Sequence, residues 1–469
     1  MERLQRLQEA YIRRRLDRPK TKSMSPARWI LLGFALIILL GTVLLCLPVA
    51  TRSGQHTSPY LALFTATSAT CITGMTLVDT WTHWSLFGQI VILTLVQIGG
   101  LGFMSFVATF SFFMRRRIGI RERMVMSASL NLDELSGVVR LTKRVVIATL
   151  FLEAIGAVLL SIQFIPQFGL QEGIYQGVFH SISAFCNSGF DIMGEIRPRS
   201  GLTSFVGDVP VTMTTSVLAI LGGLGFYVWG DLASSLLDRG KRRKRLALHT
   251  KVVLIMSVVL IAFGTIAFLL CEYTNEATIG DMPFWQKLMV SYFHSVSYRT
   301  AGFVTVDLSA ARETTTMIGC ALMFIGGSPG STSGGVKTTT VAVMMIAVHA
   351  TLAGKTDMNL FHRRISRRTM RSAFTMFTLG IVISLGVAFF FMAVDGISTV
   401  PALYESIAAF STTGISLGVT MQLSHFSQLC LLAEMFIGRV GVLTLGLGLM
   451  TRRMHESKYR YPDANIMVG

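Results

Sequence analysis

Charge is what this sequence has least of. Only 14% of its 469 residues are Asp, Glu, Lys or Arg, against about 25% in an ordinary soluble domain. With 51% hydrophobic residues and a mean hydropathy of +0.58, a water-soluble globular class is excluded. Acidic residues are the scarcer sign: 25 stand against 42 Lys and Arg, for a net charge of +17. That surplus would suit nucleic acid, but it clusters between apolar runs, as positive charge does on the inner side of membrane proteins. Nucleic-acid binding is therefore set aside. Paired cysteines are missing too. Cys46, Cys71, Cys186, Cys271, Cys320 and Cys430 lie in or beside apolar segments with no C-x-x-C. This indicates buried free thiols rather than a metal site or disulfide framework. A cleavable signal peptide is not expected either, since the apolar segment 29–49 exceeds an h-region of roughly 7–15 residues.

What is present is a series of apolar runs of about 20 residues, long enough to cross a ~30 Å hydrocarbon core as helices. Between them a short stretch occurs four times. It reads Thr70-Cys71-Ile72-Thr73-Gly74-Met75, then Phe185-Cys186-Asn187-Ser188-Gly189-Phe190. The third copy is Tyr298-Arg299-Thr300-Ala301-Gly302-Phe303 and the fourth Phe410-Ser411-Thr412-Thr413-Gly414-Ile415. Their glycines are spaced by 115, 113 and 112 residues, which points to a fourfold duplication.

Each repeat has three parts: a spanning helix, a segment of about 10–15 residues too short to span, and a second span. These fall near 28–49, 60–70 and 86–113 in repeat one (28–113), and near 144–165, 175–185 and 214–237 in repeat two (144–237). Repeat three (251–352) has them at 251–272, 284–298 and 314–352, and repeat four (372–449) at 372–394, 400–410 and 426–449. The middle segments read as re-entrant helices, which survive at membrane depth only when buried in protein or lining a watery path. The fold class is therefore an all-α polytopic membrane protein with eight spans and four re-entrant loops around a pseudo-fourfold pore. Basic residues mark the linking segments 1–27, 114–143, 238–250, 353–371 and 450–469: Arg115-Arg116-Arg117, Lys241 to Arg245, Arg363-Arg364, Arg367-Arg368 and Arg452-Arg453. All fall on one side, with both termini, which the positive-inside rule makes cytoplasmic. Opposite segments carry mixed charge, including Glu172, Asp191, Glu276, Asp281, Asp307 and Asp395. Segment 1–22 is basic with Leu4, Leu7, Tyr11 and Ile12 at helical spacing; it fits an amphipathic helix on anionic membrane lipid or a solvated tail.

The chemistry of the repeated stretch follows from glycine and from dipoles. Glycine permits backbone angles that turn carbonyls toward an axis, and rings of carbonyls replace the hydration shell of a monovalent cation. Re-entrant helices aim negative C-terminal ends at the same point. The second spans hold Ile98-Gly99-Gly100, Leu221-Gly222-Gly223, Ile325-Gly326-Gly327 and Ile437-Gly438-Arg439. An Arg at membrane depth is expensive and marks a functional site, unless it pairs structurally with Glu434 or Glu153. Repeat three's second span is interrupted by Gly326-Gly327-Ser328-Pro329-Gly330-Ser331-Thr332-Ser333-Gly334-Gly335-Val336-Lys337-Thr338. Val336 puts this one residue off the phosphate-binding pattern, and no strand precedes it. So Gly/Pro/Ser-rich a run does not hold helix, and a flexible loop within the membrane is expected.

With these residues on the page, the chain resembles the Ktr/Trk/HKT superfamily of potassium transporters, built from four M1–P–M2 repeats with a filter glycine in each P-loop. The likeness covers nearly the whole chain. It is strongest at Ser297-Tyr298-Arg299-Thr300-Ala301-Gly302-Phe303 and Gln97-Ile98-Gly99-Gly100-Leu101-Gly102-Phe103, and with eight spans it is nearest the KtrB-type subunits. The resemblance implies a filter for K+ at Ile72, Thr73, Gly74, Met75, Asn187, Ser188, Gly189, Phe190, Thr300, Ala301, Gly302, Phe303, Thr412, Thr413, Gly414 and Ile415. Four glycines imply potassium over sodium, while Met75 and Ser188 are less usual neighbours that leave exact selectivity open. It also implies a gate beneath the filter formed by loop 326–338, with Lys337, and by Arg439. A homodimer in a bacterial cell membrane follows from the same likeness, as does a cytosolic KtrA-like RCK ring that binds nucleotide. Its expected contacts are the basic loops 239–250 and 353–371 and the tail, although positive-inside signal alone accounts for those charges. No covalent cofactor is implied; K+ is the permeant ion, with Na+ coupling open. Two other readings stand beside this one. One is a sodium-selective relative. The other is a membrane enzyme using His180, His294 or Glu153, for which no nucleophile–base–orienter set is evident, so that each His reads as a satisfied interfacial residue.

Overall fold

The computed structural model describes residues 25–102, 119, 123, 124, 126, 137–237, 246–355 and 357–449. The expected N-terminal amphipathic segment, the basic clusters at 115–117, 241–245 and 452–453, and the tail 450–469 lie outside the described residues. The chain is mostly helical. In chain order the main elements are α1 (Pro26–Cys46), α2 (Pro59–Thr70), α3 (Leu86–Leu101), α4 (Val138–Phe168), α5 (Leu170–Phe185), α6 (Val209–Leu224), α7 (Phe226–Leu237) and α8 (Leu248–Glu272). There follow α9 (Phe284–Val296), α10 (Glu313–Phe324), α11 (Thr338–Leu352), α12 (Arg367–Asp395), α13 (Thr399–Ser411), α14 (His425–Val440) and α15 (Val442–Leu449). A two-residue hairpin, Asn359–Leu360 against Arg363–Arg364, sits between α11 and α12.

Local sequence sets where these helices begin. Ser58 precedes Pro59 and accepts from Leu61 N at 3.3 Å, capping α2. Ser85 does the same for α3 through Gly88 N, Asp208 for α6 through Val211 N, and Ser366 for α12 through Thr369 N. Each cap satisfies an amide that the start of a helix leaves without an intrahelical partner.

Helices α1, α4, α8 and α12 are each long and apolar enough to cross a bilayer. Their outer faces are apolar and exposed, as at Leu39 and Val43 on α1, Val158 on α4, Val258 on α8 and Phe389 on α12. Their inner faces carry small and polar residues, such as Gly156, Thr149 and Ser161 on α4. Polar groups inside and apolar groups outside is the arrangement lipid requires. The chain is a multi-pass membrane protein. The short helices α2, α5, α9 and α13 pack against these long ones, the last three through a recurring hydroxyl. Ser181 Oγ donates to Glu153 O at 2.6 Å, Ser295 Oγ to Ile261 O at 2.7 Å and Ser406 Oγ to Ser384 O at 2.8 Å.

The second helices differ from the expectation of three continuous spans and one broken one. Helix α3 ends at Leu101, where Gly102 adopts φ 80°; α6 ends at Leu224 before Gly225 at φ 93°; α14 ends at Val440 before Gly441 at φ 90°. Past Gly225 the chain turns by 95° into α7. A positive φ of this kind, open to glycine and not to other residues, ends a right-handed helix, so Gly-Gly-Leu-Gly and Gly-Arg-Val-Gly end three further helices at the level of the repeat-three loop.

Candidate functional site

The four glycine stretches follow the C-terminal ends of α2, α5, α9 and α13, and their backbones share one conformation. Gly74, Gly189, Gly302 and Gly414 have φ of 86°, 67°, 81° and 77°. Two residues earlier, Ile72, Asn187, Thr300 and Thr412 also have positive φ, at 57°, 55°, 78° and 55°. Three of these four are β-branched, for which such angles are outliers costing on the order of 1–3 kcal/mol each. Strain repeated at one register must be imposed by the surroundings. A bond back to the short helix supplies part of it: Thr73 N to Ser68 O, Ser188 N to Ser183 O and Thr413 N to Ala408 O at 2.8–2.9 Å. In repeat three a bond of the same span is made one residue later, from Gly302 N to Ser297 O at 3.3 Å, across a single π-helical turn.

The stretches close into a ring. A Cβ on Gly74 would run into Ser188 O, one on Gly189 would lie 2.9 Å from Gly302 Cα, one on Gly302 would meet Thr413 O, and one on Gly414 would meet Thr73 O. Repeat one thus touches two, two touches three, three touches four and four returns to one. No side chain fits at any of these places, so glycine is needed both for φ and for close approach. Hydroxyls brace the ring from behind: Ser183 Oγ lies 2.8 Å from Ser188 Oγ and donates to Phe190 O at 2.6 Å, while Ser297 Oγ donates to Phe303 O. Thr73, Thr300 and Thr412 Oγ1 are buried and lack a partner among the described residues.

The loop 326–338 lies against the underside of this ring. It is not the loosely held segment expected from its composition, because its polar groups find partners on neighbouring helices. Ser328 N donates to Gly223 O at 3.0 Å, Thr332 N to Gly222 O at 3.3 Å, and Phe226 N to Gly330 O at 2.8 Å. The Asn187 amide bridges Ser333 Oγ at 2.8 Å with the Ala184 and Ala219 carbonyls at 3.1 Å, tying the second stretch to the loop. Gly334 packs against Thr412 and Ser411 of the fourth stretch, and Gly326 against Thr300 of the third. Ser328, Thr332 and Ser333 are fully buried. Lys337 folds back onto the loop, its Nζ donating to Ser333 O at 2.6 Å and Gly334 O at 3.3 Å.

Arg439 joins this layer from α14. Its Nη1 donates to Thr332 O, and its Nη2 to Gly99 O and, at 3.2 Å, to Gly100 O. The alternative pairing with Glu434 or Glu153 is absent among the described residues. Glu434 accepts from Ser406 Oγ at 2.9 Å, and Glu153 from Gln97 Nε2 at 3.1 Å. Gly99, Gly222 and Gly438 each pack on the last carbonyl region of a short helix, at Thr70 O, Phe185 O and Phe410 O. Arg439 therefore stands at the register of Gly100 and Gly223. Beneath the loop opens a cavity of about 800 Å³, lined by Phe34, His249, Pro329, Val343, Met376 and Arg439 among others.

Three further placements differ from the sequence reading or go beyond it. His180 and His294 are buried rather than interfacial; Nδ1 bonds Gln176 O and Val290 O, and Nε2 has no partner among the described residues. They sit on separate short helices among aromatic rings. Arg299, behind the third stretch, is buried and donates to Ser257 Oγ at 3.3 Å. The positive-φ residues Ile72, Thr300 and Thr412 have no compositional signal; only their fixed offset from the glycines marks them.

Several known proteins resemble this chain over nearly its whole length. A family model described as TrkH, cation transport protein, matches residues 27–459. The potassium/sodium uptake protein NtpJ of Enterococcus hirae is 38% identical over 456 residues, covering 96% of this chain and 98% of that protein. Ktr system potassium uptake protein B of Bacillus subtilis is 36% identical over 446 residues, covering 95% and 97%. The crystal structure of the potassium transporter TrkH from Vibrio parahaemolyticus shares the fold, with a TM-score of 0.69 at 17% identity over 92% of this chain and 87% of that one.

Proposed function

We propose, for a chain that belongs to the TrkH family of cation transport proteins, that it is the ion-translocating membrane subunit of a potassium uptake system. In this reading each repeat contributes a first span, a re-entrant helix and a broken second span, giving eight spans with both termini cytoplasmic. K+ passes through the ring at Gly74, Gly189, Gly302 and Gly414, shedding water for carbonyl oxygens. The loop 326–338 and Arg439 obstruct the path beneath it. The observation that carries the reading is the closed cycle of four left-handed glycines, each too near its neighbour for a side chain. A catalytic reading has no comparable support, since His180 and His294 lie on different short helices, each among aromatic rings.

The relatives' names support the choice of ion. Ktr system potassium uptake protein B and the potassium transporter TrkH name potassium, and NtpJ names sodium beside it, so sodium acts here as a co-ion or competitor. A subunit of this kind works as a homodimer with a cytosolic nucleotide-binding RCK ring docked on loops 239–250 and 353–371 and the tail. Rubidium uptake into proteoliposomes, with sodium as competitor, tests the central claim. Saturable uptake that excess potassium abolishes and sodium does not is expected; no uptake, with or without a cytosolic ring, would sink it.

A further inference from the structure

The contacts of Arg439 contain a feature that an electrostatic barrier does not require. Its guanidinium meets three main-chain carbonyls, from Gly99, Gly100 and Thr332, and no carboxylate among the described residues. Two of those oxygens converge on a single nitrogen, Nη2. They stand at the C-terminal end of α3, which Gly102 terminates, where the helix dipole favours positive charge. A cation held by backbone oxygens at a helix C-terminus is the ligand set that the protein would offer a dehydrated monovalent ion. Lys337 repeats the pattern nearby, its ammonium on Ser333 O and Gly334 O.

We infer that the oxygens of Gly99, Gly100 and Thr332 form a monovalent-cation site beneath the ring, which Arg439 occupies as a tethered substitute for the permeant ion. This rests on the pore reading above and adds to it a second binding site. The register argument favours it. At the matching place on α6, the carbonyls of Gly222 and Gly223 accept loop amides instead. The chain thus fills carbonyls of two broken helices with its own donors, from Arg439 on one side and from the loop on the other. When Arg439 withdraws, those of α3 and Thr332 are left facing the path. Gly99 O keeps its bond from Gly102 N at 3.3 Å, but Gly100 O and Thr332 O lose the donors of Arg439, and a free ion becomes the natural partner of the set because buried carbonyls left unpaired cost free energy.

The test is anomalous scattering from the full chain crystallised in rubidium, wild type against Arg439→Ala. Arg439→Gly serves as the second variant, since the same register carries Gly100 and Gly223. Wild type should show rubidium at the glycine ring and none at Gly99 and Gly100. Either variant should gain a peak between those oxygens and Thr332 O. Ring peaks without the added peak would overturn the inference and leave the pore reading standing; no rubidium at the ring in any of the proteins would count against the pore itself. A flux measurement gives an independent readout. Free guanidinium at non-denaturing concentration should return the rubidium flux of Arg439→Ala toward the wild-type level while leaving wild type unchanged. Equal inhibition of both proteins would refute occupancy of one shared site.

Discussion

The ring at Gly74, Gly189, Gly302 and Gly414 and the layer one turn beneath it are built from the same four repeats, yet they follow different rules. In the ring every repeat contributes the same two positive-φ residues, the same tight approach and no ionisable side chain pointing among the glycines' contacts. In the lower layer, repeats one and two present Gly99-Gly100 and Gly222-Gly223, repeat three inserts a thirteen-residue loop from 326 to 338, and repeat four substitutes Arg439. Four equal contributions suit a task in which an ion must meet oxygens on all sides. Unequal ones suit a barrier, which needs a movable part and a fixed part to hold it. On the proposed reading, the four segments agree where geometry would be the function and diverge where control would be.

The sharpest way to break this comparison is to put a side chain into the ring. Serine at any of the four glycines must adopt a positive φ, costing on the order of 1–3 kcal/mol, before any overlap is counted. Overlap then ranks the sites. The approach is closest at Gly414, against Thr73 O, and loosest at Gly189, against Gly302 Cα. Gly414→Ser should abolish rubidium uptake, Gly74→Ser should retain some with its preference over sodium reduced, and Gly189→Ser should be mildest. Uptake with sodium competition measures all of them. A Gly189→Ser protein as defective as Gly414→Ser, at equal expression, would mean that the ring does not close as described.

Next in size is the fixed charge beneath the ring. A cation about 4 Å from a guanidinium feels roughly 4 kcal/mol of repulsion at an effective dielectric near 20. Because 1.36 kcal/mol is tenfold in rate, Arg439→Ala raises flux by at most about a thousandfold. Water and the carbonyls around Arg439 reduce that. The potassium-to-sodium ratio should change little, since the ring is untouched. An unfolded or poorly melting variant whose flux per molecule equals wild type would assign Arg439 to structure alone.

Removing residues 330–334 sharpens the same contrast from the other side. The deletion discards the Gly330 O bond to Phe226 N and the Thr332 contacts to Gly222 and Arg439. Flux without a cytosolic partner should rise, by less than for Arg439→Ala because Arg439 stays charged. A fall in flux with folding intact would make the loop part of the conducting wall.

How much of this was legible in the sequence divides along the same line. The ring's glycines announced themselves by spacing, because a duplicated backbone turn demands glycine each time. The broken loop announced itself by composition. What stayed hidden was whatever depends on distant partners. Nothing local in Ile72, Thr300 or Thr412 signals a left-handed backbone; the short helix and the neighbouring repeats impose it. The breaks at Gly102, Gly225 and Gly441 could have been read, since each follows its Gly-Gly or Gly-Arg pair at a constant offset, but apolar continuity masked them. The loop's firm seating could not, because Gly222, Gly223, Asn187 and Arg439 lie far from it in sequence. The carbonyl partners of Arg439 were hidden for the same reason: a search for its counter-ion looks among acids, and backbone oxygens are spelled by no residue type.

The smallest expected effect tests whether the two layers communicate directly. Asn187 belongs to the ring, through its backbone at φ 55°, and to the lower layer, through its amide on Ser333 Oγ at 2.8 Å. If that contact helps to hold the loop against the ring, Asn187→Ala and Ser333→Ala each remove the same bond. A buried hydrogen bond of this kind contributes about 0.5–1.5 kcal/mol net, so each single change should raise loop-limited flux by roughly two- to tenfold. The double variant should then match Asn187→Ala, because the bond can be lost once. Asn187→Ala also forfeits the bonds to Ala184 and Ala219 carbonyls, which makes it the larger of the two. Such non-additivity is what a double-mutant cycle isolates when neither single change creates new contacts. Effects that multiply would mean that ring and loop lie together without coupling through this bond, and that the loop is held in place by Gly222, Gly223 and Arg439 alone.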